Sequence, residues 1–135
     1  MSTLNELKAR DLMNINIAFV RPDEKIAAVD LLMVRKSLRS VPILEYNTDK
    51  IVGILTHRDI MLSRFRTSIA GMTVESIMTK NPIIIPPSAT IKEILNLMLR
   101  HSIEQLPVIE NEKFIGMVEP ESILSAVYNI ISSEK

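Results

Sequence analysis

This 135-residue sequence predicts an α/β (α+β) fold made of two pseudo-symmetric β-α-β-β-α repeats packed sheet to sheet. Three observations lead there. The chain is written twice: residues 11–45 align with 76–110 at a constant offset of 65, and beyond a turn shortened by two residues the match resumes at an offset of 63. Within each copy the apolar residues switch between helical spacing and short strand-like runs. A copy of about 55 residues cannot bury a sheet by itself, so the two copies are expected to fold onto each other.

Each element has its own justification. Residues 4–12 read as a lead-in helix. Ala18-Phe19-Val20 opens the first copy as a short strand, and Pro22 ends it because proline has no N–H for a ladder. Ile26, Val29, Leu32 and Met33 recur at helical spacing. A hairpin follows, 41–45 with 51–55, turning at Asn47-Thr48-Asp49. A closing helix covers 57–66. In the second copy, Ile83-Ile84-Ile85 forms the strand, stopped by Pro86-Pro87, and Thr90 with Glu93 is a capping box for a helix carrying Ile91, Ile94, Leu95 and Met98. The hairpin 106–109 with 114–118 turns at Asn111-Glu112, and a helix over 120–131 closes the copy. The organisation expected is therefore 8–66, a linker 67–73 containing Gly71, and 74–131. Identities such as Met13/Met78, Asn16/Asn81, Pro42/Pro107 and Gly53/Gly116 fall at matching positions of the two copies.

Composition excludes several function classes. Apolar residues make up 47% and charged residues 24%, enough for a core without staples. Cys is absent, which excludes disulfides and thiolate metal sites. The opening Met-Ser-Thr-Leu-Asn-Glu has neither the basic nor the apolar stretch of a secretory signal, and no apolar run reaches the ~18 residues of a membrane span, so a cytoplasmic protein is expected with no membrane partner. Three glycines cannot build a Gly-rich phosphate cradle, and no metal-binding HExxH, nucleophile elbow or P-loop is present, so neither catalysis nor a metal or cofactor is expected. Aromatics at 4%, without basic–aromatic alternation, argue against nucleic acid. The zero net charge hides a split: residues 1–67 hold 11 basic and 8 acidic side chains, residues 68–135 hold 5 and 8.

The stretch Gly53-Ile54-Leu55-Thr56-His57-Arg58-Asp59-Ile60, together with Ser40-Val41-Pro42-Ile43-Leu44 and its twin Gln105-Leu106-Pro107-Val108-Ile109, resembles the CBS domain. The tandem arrangement over about residues 8–131 is similar to a Bateman module. The resemblance implies a regulatory module that senses an adenosine-containing nucleotide (AMP, ADP or ATP, with S-adenosylmethionine a further candidate) in clefts between the copies. With no enzyme or channel attached, such a module acts on an unknown effector protein in trans. By resemblance, Asp59 takes the ribose hydroxyls and Thr56 a phosphate. A carboxylate accepts two hydroxyl hydrogen bonds, and a helix N-terminus presents free N–H groups to an anion. Arg58, His57, Arg39 and Ser40 surround this position, and adenine is expected against Ile54 and against Asn81-Pro82-Ile83 of the other copy. Thr56-x-x-Asp59 is equally an ordinary helix cap, and the two readings are compatible.

The second copy departs from the pattern. Glu119, Pro120, Glu121 and Ser122 replace Thr56, His57, Arg58 and Asp59, and Glu104 replaces Arg39. The matching cleft, with Gln105, Asn16 and Ile17, is expected to be degenerate and hostile to phosphate. The last helix, with Ile123, Leu124, Val127, Tyr128, Ile130 and Ile131, is more apolar than one buried face requires, and by resemblance a homodimer is expected. The alternative is a protein or nucleic-acid interaction or dimerisation module that binds no nucleotide.

Overall fold

Two antiparallel hairpins of the same design carry the fold. In the computed structural model, which describes residues 3–66 and 71–133, β1 (Ser40–Leu44) pairs with β2 (Ile51–Thr56) and β4 (Leu106–Glu110) with β5 (Lys113–Val118). Both ladders shift register at matching places, between Ile43 and Leu44 and between Val108 and Ile109. A bulge at the same point of both copies bends both hairpins alike. A third strand, β3 (Thr79–Lys80), pairs antiparallel with β2 through Gly53↔Lys80 and Ile54↔Thr79.

The helices follow their apolar spacing. In α2 (Ile26–Arg35) Ile26, Val29 and Met33 are buried, and in α4 (Ile91–His101) Ile91 and Ile94 are buried. Both helices end on a serine in the left-handed region, Ser37 and Ser102, at matching positions. The next N–H then reaches back to the final turn: Leu38 donates to the Met33 carbonyl at 2.8 Å and Ile103 to the Met98 carbonyl at 3.1 Å. This arrangement satisfies carbonyls that the helix end would leave bare. Thr90 caps α4, its Oγ1 accepting the Glu93 N–H at 3.1 Å, but Glu93 Oε1 takes the Thr90 hydroxyl at 3.0 Å rather than the Thr90 N–H that the expected capping box would use. The closing helices are α3 (His57–Arg66) and α5 (Pro120–Ser133).

Two compact units result: Ala18–Pro82, here the first unit, and Met1–Ile17 with Ile83–Lys135, the second. In the first unit Val20, Ile26, Val29, Met33, Val41, Ile43, Leu55, Ile60 and Val74 form the core. In the second the core is Ala9, Leu12, Ile85, Ala89, Ile91, Ile94, Leu106, Val108, Val118 and Ile123. The units are offset from the sequence repeats 8–66 and 74–131, because each repeat gives its leading segment to the unit built on the other's hairpin. Asn14 bridges Met117, exchanging N–H···O bonds of 2.9 and 3.0 Å, just as Thr79 pairs with Ile54. The cause lies in two glycines. A Cβ on Gly53 would stand 2.5 Å from Met78 Sδ, and one on Gly116 would stand 2.8 Å from Met13 Sδ. Only a residue without a side chain admits the methionine there.

Two local expectations change. The lead-in helix over 4–12 is broken into a 3₁₀ turn, Leu4–Glu6, and α1 (Ala9–Leu12). The break arises because the Leu7 carbonyl accepts the Ile91 N–H at 3.0 Å and Lys8 bridges Thr90, which takes both residues out of helical conformation. The expected strands 18–20 and 83–85 shrink to single parallel bridges, Val20↔Ile43 and Ile85↔Val108, since the prolines that follow cannot extend the pairing. Of the expected linker, residues 67–70 lie outside the described residues. Gly71 takes φ 81°, and its carbonyl accepts a hydrogen bond from Lys25 Nζ at 2.8 Å.

Candidate functional site

β2 runs directly into α3, and the junction gathers most of the first candidate set. Ser40 pairs with Thr56 at the end of the hairpin, and the Arg39 carbonyl accepts the His57 N–H at 3.0 Å. Arg39, Ser40, Thr56, His57, Arg58 and Asp59 therefore share one end of the first unit, with Arg39, His57 and Arg58 exposed.

Thr56 and Asp59 cap α3 reciprocally. The Thr56 N–H donates to Asp59 Oδ2 at 2.9 Å, and the Asp59 N–H donates to Thr56 Oγ1 at 3.1 Å. This geometry narrows the expectation of free amides at the helix start. The N–H groups of Thr56, His57 and Asp59 are already committed, so an anion here must be met chiefly by side-chain donors and cations. The Thr56 hydroxyl keeps its own proton to donate. At the carboxylate, Oδ2 is held by Thr56, and among the described residues Oδ1 has only a long contact, 3.4 Å, from the Thr79 hydroxyl, which also lies 3.3 Å from Oδ2. Oδ1 keeps acceptor capacity for a ligand hydroxyl.

The adenine surface differs from expectation. Ile54 is only 5% exposed and lies mid-sheet between Pro42 and Thr79, so β3 closes the β2 edge beside it. Asn81, exposed and at φ 50°, and half-buried Pro82 follow β3 within the first unit, whereas Ile83 belongs to the second. Thr79 was not among the residues singled out from sequence. Its only sequence signal is the match of Gly53 with Gly116, which marks where a strand approaches closely.

The second set is built on the opposite chemistry. At the start of α5 the Glu119 N–H donates to Ser122 Oγ at 3.0 Å, and that hydroxyl donates back to the Glu119 carbonyl at 2.8 Å. Ser122 thus spends its side chain on the cap. Burial, and then the negative charges of Glu121 and Glu104, push the Glu119 carboxyl above its ordinary value. Negative field concentrates where the first unit has Thr56 and Arg58. Half-buried Gln105 precedes β4, and exposed Asn16 folds back, its N–H donating to Asn14 Oδ1 at 3.0 Å.

Each unit also holds a cavity beside its closing helix, which the sequence did not announce. In the first, of about 350 Å³, Asp59, Leu62 and Ser63 of α3 face Met72, Ser76, Ile77 and Met78. In the second, of about 570 Å³, the matching residues Ser122, Ser125 and Ala126 face Leu7, Asp11, Leu12 and Met13. The first cavity meets the candidate set at Asp59. Among the described residues no group of three or more acidic or histidine side chains is placed to hold a metal ion, and no helix is long and apolar enough to cross a membrane.

A family model described as CBS domain matches residues 9–65 and 74–129. Inosine-5'-monophosphate dehydrogenase of Methanocaldococcus jannaschii is 30% identical over 118 residues, covering 87% of this chain but 23% of that enzyme. The chain thus spans about a quarter of the length of that relative. Among solved structures, a putative acetoin utilization protein (AcuB) from Vibrio cholerae superposes with TM-score 0.85 at 24% identity, covering 93% of both chains. CBSX2 in complex with AMP superposes with TM-score 0.81 at 21% identity, covering 92% of this chain and 98% of that one.

Proposed function

Since this chain belongs to the CBS-domain family and carries two copies in tandem, we propose that it is a regulatory module that senses an adenine nucleotide at the β2–α3 junction and signals to an effector protein in trans. The observation that carries the reading is the Asp59 carboxylate, anchored through Oδ2 while Oδ1 keeps capacity for a ribose hydroxyl. Thr56 supplies a hydroxyl donor for phosphate, and Arg58, Arg39 and His57 supply cationic or polar side chains around it. The AMP complex of CBSX2 supports the reading, since the same fold there holds that ligand. S-adenosylmethionine, a cation, suits this end of the chain less well than AMP, ADP or ATP. The acidic start of α5 disfavours a phosphorylated ligand at the second set, so one nucleotide per chain follows. Binding acts by stabilising one conformation of the module over another. No catalytic step is assigned to these residues, and the module works in the cytoplasm.

We also propose that the chain pairs with a second copy through its closing helices. Leu124 and Tyr128 of α5 are 67% and 69% exposed, and their repeat counterparts on α3, Met61 and Phe65, are 45% and 85% exposed. Apolar side chains at matching positions on both helices suit burial against another chain.

A thermal-shift series tests the nucleotide reading. A ligand at 100 times its dissociation constant stabilises a fold by about 2.7 kcal/mol. AMP, ADP or ATP should raise the melting temperature of the wild type and leave Asp59→Ala unmoved. No shift with any adenosine compound would favour an interaction or dimerisation module without nucleotide.

A further inference from the structure

We propose that Thr79 is a positioning residue for the ribose-reading carboxylate, reaching Asp59 from strand β3 as a second donor beside its helix cap. This rests on the nucleotide reading of the Thr56–Asp59 site.

The Thr79 hydroxyl lies 3.3 Å from Asp59 Oδ2 and 3.4 Å from Oδ1, nearly equidistant from the two oxygens. The contacts are long for O–H···O bonds, so the hydroxyl steers the carboxylate plane more than it binds it. The Thr56 N–H fixes one oxygen at 2.9 Å. A carboxylate gripped at one oxygen still turns about its Cβ–Cγ bond, and a second donor facing both oxygens limits that turn. A planar group held by two donors presents its remaining lone pairs in one direction, which is what two adjacent ribose hydroxyls require.

Thr79 reaches this place through the sheet. It pairs with Ile54 in the β2–β3 ladder, two residues before Thr56 and on the same face of the strand. Gly53 lets β3 come in: a Cβ there would meet the Thr79 carbonyl oxygen at 2.9 Å. The second unit provides an internal comparison. At the positions matching Thr79 and Asp59 it has Asn14 and Ser122. Asn14 Oδ1 accepts the Asn16 N–H, and Ser122 bonds Glu119, so neither side chain is used on the other's behalf. The threonine hydroxyl and the carboxylate are present together in one unit and replaced together in the other, by an amide and a serine.

The test is titration calorimetry of the full chain with AMP and with 2′-deoxyadenosine 5′-monophosphate, using wild type, Thr79→Val and Thr79→Ser. Circular dichroism melts without ligand check that each variant folds. The wild type should prefer AMP over the deoxy analogue. Thr79→Val should bind AMP about three- to tenfold more weakly, the range expected for one lost hydrogen bond. It should bind the deoxy analogue nearly as before, so that the preference collapses. Thr79→Ser, which keeps the hydroxyl, should retain the preference. A Thr79→Val chain with wild-type affinity and preference overturns the proposal, as does a Thr79→Ser chain that loses as much as the valine. If the wild type takes up no AMP and Asp59→Ala changes nothing, the nucleotide reading itself fails, and the role of Thr79 falls with it.

Discussion

Met78 Sδ lies 2.5 Å from the point that a Cβ on Gly53 would occupy, and Met78 Cγ and the Thr79 carbonyl lie 2.9 Å from it. The start of the second repeat is seated on the hairpin of the first through this contact. Gly53→Ala should therefore destabilise the chain by about 1–3 kcal/mol, the cost of overpacking a filled site. Gly116→Ala, against Met13, should do the same. Gly71→Ala meets nothing within 4 Å and strains only the backbone at φ 81°, costing about 1 kcal/mol. Urea denaturation of the three variants checks the order.

Thr56 serves the helix whether or not a ligand binds. Thr56→Ala should cost about 1 kcal/mol in the unliganded chain, because the Asp59 N–H loses its acceptor. Thr56→Ser should restore it. Comparing both variants in melts with and without AMP separates the cap from the phosphate contact, since the ligand-dependent shift adds to the cap only where the hydroxyl meets the ligand.

The repeat doubling made most of the fold legible. Helix α2 and both hairpins fall close to where apolar spacing put them, and α4 also has its Thr90–Glu93 cap. What sequence could not say was which copy each leading segment joins. Met13 and Met78 read as core filling, and their partners Gly116 and Gly53 are distant in sequence. The Thr56–Asp59 pair was legible as a local motif. The donor facing it, Thr79, was not, because strand β3 has two residues and no periodicity to reveal it. For the same reason the sequence did not show that β3 pairs along β2 at Ile54, where adenine was expected.

Arg21 ties the first hairpin together and has no counterpart in the second copy, where Pro86 stands. Its Nη1 donates to the Glu45 carbonyl at 2.7 Å and to Asp49 Oδ1 at 2.9 Å, and its guanidinium lies 4.8 Å from the Phe19 ring centre and 5.3 Å from that of Tyr46. Arg21→Ala should lose about 1–2 kcal/mol. Arg21→Lys should recover little, since a compact ammonium cannot reproduce the planar fork and the stacking. Chemical denaturation of the pair measures it.

Glu119 makes stability depend on pH in a definite sense. Burial and the charges of Glu121 and Glu104 raise its carboxyl above the ordinary 4.5, so the folded chain holds that proton to higher pH than the unfolded chain does. Stability contributed by this group falls as pH rises from 4.5 through the higher folded value, and the penalty stays in force above it. Glu119→Gln should therefore be more stable than wild type at about pH 7 and equal to it at about pH 3. Melting temperatures across that range give the comparison.

The exposed apolar side chains of α3 and α5 predict self-association. Light scattering at micromolar concentration should give about twice the chain mass, and Phe65→Glu combined with Tyr128→Glu should return a monomer that still melts cooperatively. A wild type that scatters as a monomer removes the pairing.

The measurement closest to the central claim is the stoichiometry of AMP binding by calorimetry, with wild type beside Asp59→Asn. The asparagine keeps an acceptor for the Thr56 N–H while removing the carboxylate. One AMP per wild-type chain, lost in Asp59→Asn at unchanged thermal stability, is the predicted result. Two AMP molecules per chain, or binding indifferent to Asp59→Asn, would contradict it.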